Sequence, residues 1–298
     1  MDAIALGATL YVPASRTDLA AILGGRHPDL RSAVLCLEDS IHHQEIPLAL
    51  TNLAALLRAE RAPGGPALFV RPRDSAMLTH ILSFEGVENL AGFVIPKATP
   101  DNFPAWLHCL ADDRHLLMPT LETPQLLDES ELRSLRDQFL AVQPRILAIR
   151  IGGNDLLKAI GARRSAVRTA YDGPLGTMIA GFVAAFAPFG FALSAPVFEH
   201  FANAELLREE VERDLEHGLF TKTAIHPSQI RVIQAAYAVD ADALAEAEAM
   251  VMGEPRGVFA SRGAMCEPET HGNWAHATIR RAQAFGVTGG ARVSGLRS

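Results

Sequence analysis

Cysteine is scarce in this chain. Cys36, Cys109 and Cys266 are the three in 298 residues, an odd number, far apart and without a C-x-x-C pair. That excludes a disulfide framework or a zinc-finger spacing and points to reduced thiols in a cytoplasmic protein. Basic charge is not in excess either. A formal net charge of −7 disfavours a broad nucleic-acid or anionic-membrane surface, while leaving room for a local basic site. No apolar run is long and unbroken enough for a membrane span. The longest, "GTMIAGFVAAFAPFGFALSAPVF", is interrupted by Gly181, Pro188, Gly190 and Pro196, and reads as a buried helix, a break and a buried strand. The opening "MDAIALGATLYVPASR" has no basic stretch and is broken by Gly7 and Thr9, which makes it a poor signal peptide. Low-complexity segments are lacking, and the glycine-rich, basic tail "GVTGGARVSGLRS" is expected to be loose.

What is present is core material, with 49% hydrophobic and 20% charged residues. Eight short apolar or alternating runs recur, around 4–15, 32–39, 67–73, 91–97, 115–123, 146–155, 191–199 and 221–227. Segments with helical apolar spacing lie between them, such as "TDLAAILGG", "IPLALTNLAALLRAE" and "NAELLREEVERDLEHG". Strand–helix alternation implies parallel, right-handed crossovers with both sheet faces covered. Eight such units favour an α/β fold of the closed (β/α)8, or TIM-barrel, kind over residues 1–238, in preference to a doubly wound sheet. Three further helical patterns follow where barrel closure needs one. Residues 239–298 are therefore expected to form a C-terminal helical extension that covers the barrel mouth or reaches a neighbouring subunit.

Polar residues close the runs in order: Arg16, Glu38-Asp39, Arg71, Lys97, Glu122, Asp155, Glu199 and His226. Caps and solvated rims explain such residues singly. Together, at the end of a barrel where active sites form, they bring carboxylates and cations to one mouth. Glu122 stands in "TLETP", where the proline should end the strand sharply. Asp155 stands behind Gly152-Gly153 on the next strand, and two such hard oxygen ligands suit Mg²⁺ or Mn²⁺. A structural reading of "IGGNDLL" remains beside this one, in which Asn154 or Asp155 caps the following helix and glycine permits the turn. Arg16, Arg71, Lys97, Gly153 and Asn154 are the expected substrate contacts. The tandem His42-His43 has no H-E-x-x-H or cysteine partner to support zinc.

Several motifs carry a family resemblance. "LYVPASR", "LCLEDSI", "FVRPR", "FVIPK", "LETP", "IGGNDL" and "GLFTKTAIHPSQIRVIQAAY" resemble, in order, the conserved elements of the citrate lyase β-subunit-like group of the HpcH/HpaI aldolase superfamily, across residues 10–237. The resemblance implies a Mg²⁺-dependent barrel that makes or breaks a carbon–carbon bond beside a carbonyl, on oxo acids or hydroxyacyl-CoA thioesters, through an enolate. By the same resemblance Glu122 and Asp155 hold the metal, Arg71 binds the substrate, and Glu38-Asp39 orient metal-bound waters. A homo-oligomer, trimer or hexamer, is also implied, in which Glu267 of "AMCEPETH" completes an adjacent subunit's site. Departures cluster around the site: Arg163, Arg164 and Arg168 after Asp155, the absence of the usual Lys and Arg after "LEDSI" with His42-His43 nearby, and the altered "AMCEPETH". They are similar to the divergent C–C bond lyase-like branch linked with tellurite-resistance clusters. The arginine cluster reads either as an anion site or as a solvated helix start. Three functions follow from these residues: a metal-dependent C–C lyase, the same enolate site with a thioesterase or synthase outcome, and a non-catalytic barrel used for binding or assembly.

Overall fold

The computed structural model describes residues 1–60, 64–110, 114–252 and 257–289. Eight parallel strands are present: β1 (Ala8–Pro13), β2 (Ser32–Cys36), β3 (Ala67–Arg71), β4 (Gly92–Ile95), β5 (Leu116–Leu121), β6 (Ile149–Ile151), β7 (Leu193–Ser194) and β8 (Lys222–Ala224). They are hydrogen-bonded in the order β7-β6-β5-β4-β3-β2-β1-β8. A parallel bridge between Ala195 and Lys222 completes the circuit, so the fold is the expected TIM barrel. Inward side chains from successive strands, Val34, Phe69, Val94 and Met118, fill its centre, and Ala3 and Leu6 from the turn before β1 pack against them. Thr9, which weakens the first strand's apolar pattern, is buried in β1 and accepts a hydrogen bond from Ser32 Oγ at 3.0 Å.

The helices are α1 (Leu19–Ala21), α2 (Ile46–Arg58), α3 (Ser75–Leu82), α4 (Phe103–Cys109), α5 (Glu129–Ala141), α6 (Gly153–Ala159), α7 (Pro174–Phe186), α8 (Ala204–Glu216) and α9 (Ser228–Tyr237). Several start on side-chain caps, with Asp74 accepting from Met77 N–H at 2.8 Å and Asn203 from Leu206 N–H at 3.1 Å. The first is much shorter than "TDLAAILGG" suggests. Gly25 takes φ +111°, which ends regular helix there, although Leu19, Ile22 and Leu23 are still buried. The long apolar stretch resolves into α7, a short turn ending at left-handed Gly190, and β7.

Burial in α8 does not follow hydrophobicity. Its inner face carries Leu206, Leu207 and Val211, but also Glu210 and Asp214. Lys222 of β8 meets both acids, at 3.0 Å and 2.8 Å, with all three side chains fully buried. Arg164 also pairs with Glu210, and the Tyr171 hydroxyl donates to Asp214 at 2.5 Å. Burial alone would raise the Glu210 carboxyl, but Lys222 and Arg164 outweigh it and hold it below its ordinary value. Arg164 is thus spent on an internal ion pair, while Arg163 and Arg168 are exposed.

The chain divides into two compact units, Met1–Ile233 and Gln234–Ser298. In the second, α10 (Ala241–Met252) and α11 (Pro268–Phe285) enclose Ala247, Met250, Cys266 and Ala275. Two small sheets accompany them, β9 (Val239–Asp240) with β12 (Val287–Thr288), and the hairpin β10 (Phe259–Ser261) with β11 (Ala264–Cys266). Thus the beginning of the tail forms a strand, and residues 290–298 lie outside the described residues. All three cysteines are free. Among the described residues, no helix is long and apolar enough to cross a membrane.

Replacing Lys222 with Ala would leave two buried carboxylates without their shared cation. Urea unfolding should report a loss of about 3–5 kcal/mol. An unchanged midpoint would show that the network is not the clamp between β8 and α8.

Candidate active site

The register of β5 and β6 builds the mouth. Thr120 pairs with Arg150 and Leu121 with Ile151, and the Gly152 N–H donates to the Leu121 carbonyl at 3.0 Å. Glu122 and Gly152 therefore stand side by side where the strands end. A Cβ on Gly152 would lie 2.3 Å from Glu122 Oε2 and 2.4 Å from its Cβ. Glycine is required there because the Glu122 side chain occupies the space. Gly153 answers to packing, since a Cβ on it would meet Leu175 and Pro196 at 2.9 Å.

The capping alternative is overruled. The N-cap of α6 is Gly152, with no side-chain capping bond, and Asp155 lies half-buried in the first turn. Asn154 is exposed and donates to Glu199 Oε1 at 2.9 Å.

Above the strands is a cavity of about 470 Å³, lined by Tyr11, Asp39, Arg71, Thr120, Glu122, Arg150, Gly152, Gly153, Asn154, Asp155, Lys158, Glu199 and Thr223 among others. A groove of about 590 Å³ between α5 and α7 is larger, but its lining is mostly apolar and its Glu129 pairs with its own Arg133 at 3.2 Å. The reactive chemistry gathers at the barrel mouth.

Glu122 is 4% exposed, and its Oε1 accepts the Lys97 N–H at 2.8 Å. Lys97 presents that N–H from a left-handed backbone, φ +48°, a conformation disfavoured for a residue with a Cβ. Further contacts pin it: Asn102 Nδ2 donates to its carbonyl at 2.8 Å, and its ammonium pairs with Glu38 and, at 3.1 Å, with Asp39. Glu38 also accepts from Arg71 at 3.1 Å, and the Arg71 Nε and Nη2 contact Cys36 Sγ at 3.2 and 3.1 Å. Arg71 lies over the Tyr11 ring at 5.3 Å.

Burial pushes the Glu122 carboxyl up to about 7. Arg71 and the Lys97 N–H pull it down, and Asp155 and Glu38 add to the rise. Burial works against the Arg71 charge, but the acids and polar groups around it hold its pKa above the ordinary value. Burial also lowers Lys97, and Glu38 and Asp39 more than restore it. Asp39 is kept below its usual range, its desolvation outweighed by hydrogen bonds with the Glu38 and Lys97 side chains.

The structure thus brings Arg71, Asp39, Glu122, Gly153, Asn154, Asp155 and Glu199 to one cavity, with Glu38 and Lys97 behind it. Arg16 is drawn elsewhere: it forms a two-pronged ion pair with Asp18 at 2.8 and 2.9 Å on the exposed surface, and is not among the cavity's lining residues. His226 stacks on Phe201 at 4.7 Å and bonds Ser228 at 2.8 Å, also outside that lining. His42 closes a capping box with Glu45 ahead of α2, which accounts for one of the tandem histidines. Glu267 belongs to the second unit, just before α11, and accepts from Thr270 Oγ1 at 3.0 Å. Sequence reasoning missed Tyr11, Thr120, Arg150 and Thr223. The signal for Arg150 was available, a charge inside the apolar run "AIRI". Among the described residues, no group of three His, Cys, Asp or Glu side chains is arranged to hold a metal, so a cation here would rest on two carboxylates with other oxygens completing it.

A closed parallel barrel whose mouth gathers acids and an arginine defines a class of barrel enzymes. The chain belongs to the family of C–C bond lyases of the TIM-barrel fold, whose model matches residues 1–287. It is 33% identical over 233 residues to a (3S)-malyl-CoA thioesterase of Cereibacter sphaeroides, spanning 76% of this chain and 75% of that protein. Among solved structures, it resembles CitE from Mycobacterium tuberculosis in complex with magnesium, acetoacetate and coenzyme A, with TM-score 0.69 and 21% identity over 93% of this chain and 98% of that one. It also resembles a citrate lyase from Burkholderia xenovorans LB400, with TM-score 0.75 and 19% identity over 95% of this chain and 93% of that one.

Two outcomes follow from this geometry. Gly152→Ala should drive Glu122 from its place and lower stability by about 1–3 kcal/mol in thermal unfolding. A stability equal to wild type would mean that Glu122 has room to move. In the metal-free protein, the Glu122 carboxyl protonates more readily folded than unfolded. Its stabilising contribution is complete below about pH 4.5 and is lost as pH rises through about 7. Glu122→Gln should flatten that decline in pH-dependent unfolding curves, and a wild-type slope in the variant would refute the assignment.

Proposed function

We propose that this protein is a Mg²⁺-dependent enzyme that cleaves or forms a carbon–carbon bond beside the carbonyl of an oxo- or hydroxy-carboxylate or its CoA thioester. The observation that carries this reading is the placement of Glu122, just past the end of β5, and Asp155, in the first turn of α6, in one cavity with Arg71. The donor set fits the ion: carboxylate oxygens suit Mg²⁺, and Mn²⁺ equally, with water and substrate oxygens filling the remaining positions. The raised Glu122 carboxyl and the buried Glu199 Oε2, which has no hydrogen-bond partner, mark a mouth where a cation would relieve the crowding of acids. The magnesium in the CitE complex supports the same choice.

When bound, the ion would supply Lewis acidity toward the substrate's carboxylate and the neighbouring oxygen. Glu122 and Asp155 would hold it. Arg71, fixed by Glu38 and Cys36, would place a preorganised positive charge where the enolate oxygen develops, and such charge lowers a barrier only where the transition state is more negative than the ground state. Glu38 and Asp39 act through Arg71 and Lys97 as positioning residues, while Gly153 and Asn154 border the substrate. Glu267 from an adjacent subunit of a homo-oligomer completes the site, and the protein works in the cytoplasm.

A second reading keeps the site and adds water to a thioester, and the (3S)-malyl-CoA thioesterase relative favours it. Product analysis separates the two, since a lyase releases two carbon fragments and a thioesterase releases free CoA with the acid skeleton intact.

Glu122→Ala and Asp155→Ala should each weaken Mg²⁺ binding at least ~10-fold by calorimetry while the protein stays folded, because the first removes a costly buried charge and the second a half-buried side chain at the mouth. Wild-type affinity in both would remove the site. In a metal-dependent screen over oxo acids, hydroxy acids and their CoA esters, Arg71→Lys should lose most activity, because an ammonium cannot reproduce the guanidinium fork. Full turnover in that variant would assign Arg71 another part.

A further inference from the structure

One layer below Glu122 and Gly152, the cavity is lined by groups that the proposed chemistry leaves unused. Thr120 and Arg150 are register partners on β5 and β6, and both line the cavity. Arg150 is 1% exposed. Its Nη2 donates to Thr223 Oγ1 at 2.6 Å, its Nη1 meets Met118 Sδ at 3.6 Å, and its guanidinium lies over the Tyr11 ring at 5.1 Å. Arg71 lies over the same ring at 5.3 Å. Two guanidinium groups therefore flank one phenol, which burial keeps neutral. Beside them, Thr120 is 5% exposed and its Oγ1 is buried with no hydrogen-bond partner, an unusual state for a hydroxyl inside a protein.

We propose that Arg150, with the hydroxyls of Thr120 and Thr223, is an oxyanion subsite on the cavity floor that receives a second carboxylate of the substrate. A planar guanidinium matches a carboxylate geometrically, and the idle Thr120 hydroxyl supplies another donor within the same floor. The subsite selects hydroxy- or oxo-dicarboxylates over monocarboxylates. It rests on the proposed function for the substrate's orientation, with the α-oxygen end at Glu122 and Asp155 and the distal carboxylate at Arg150.

Malate and lactate of one configuration test this, because they share an α-hydroxycarboxylate and differ by one carboxylate. The full chain is titrated calorimetrically with each, with Mg²⁺ and again with EDTA, as wild type, Arg150→Met and Thr120→Val. Wild type should bind malate about tenfold more tightly than lactate. Arg150→Met should bring the two affinities together while leaving lactate and Mg²⁺ binding unchanged, and Thr120→Val should narrow the ratio about threefold. Equal wild-type affinities, a ratio unchanged in the variants, or a parallel loss of both ligands in a folded variant would overturn the subsite. Should Arg150→Met fail to fold, the near-isosteric Thr120→Val decides alone. If wild type binds no Mg²⁺, the proposed function falls, and a malate preference that persists in EDTA and vanishes in the variants still upholds the subsite, while its absence overturns it.

Discussion

A carboxylate forced into a poorly hydrated position organises this mouth. Glu122 is buried beside other acids at the end of β5, where its charge is costly, and three independent devices keep it there. Gly152, just past the end of β6, gives up its side chain to make room. Lys97 adopts a left-handed backbone and offers its N–H. Arg71 stands near enough to favour the charged form. Strain in Lys97 and a glycine at the turn from β6 into α6 each cost folding energy. The arrangement is what the cation site proposed above would need if it is to stand ready for its ion.

That mouth depends on barrel closure, which rests on a thin element. β7 is two residues long and reaches β8 through a single bridge. The compensation lies outside the sheet, where Lys222, Glu210, Asp214 and Arg164 bind β8, α8 and the segment after α6 through buried charges. A paired buried network gains little over hydrophobic packing, but it is unforgiving of misregister, since any slip leaves a charge alone. The arginine cluster that sequence reading left between anion site and solvated helix start divides accordingly, with Arg164 inside this network and Arg163 and Arg168 in solvent.

The architecture was legible in the chain because parallel strands buried on both faces read as short apolar runs punctuated by helical periodicity. The polar residues at the ends of those runs were legible as a rim, and Arg71, Glu122 and Asp155 converge as expected. The spacing could not show which rim residues are claimed by nearer partners. Arg16 is taken by Asp18, two residues away, and His226 by Phe201 and Ser228. It showed the layer below only in part, through Arg150 as a charge inside the apolar run "AIRI". Thr120 sits in a mid-strand position that an apolar pattern treats as core, and the approach of Arg150 and Arg71 to Tyr11 depends on strand register. In α8 the same blindness runs the other way, since Glu210 and Asp214 look like a solvated face until Lys222 is placed opposite.

The central claim is that Glu122 and Asp155 together grip one divalent cation. Anomalous diffraction from crystals grown with Mn²⁺ tests it most directly. The account predicts a single strong peak at the barrel mouth, within bonding distance of oxygens from both carboxylates. A map with no peak there, or with the ion held elsewhere by other residues, would contradict it.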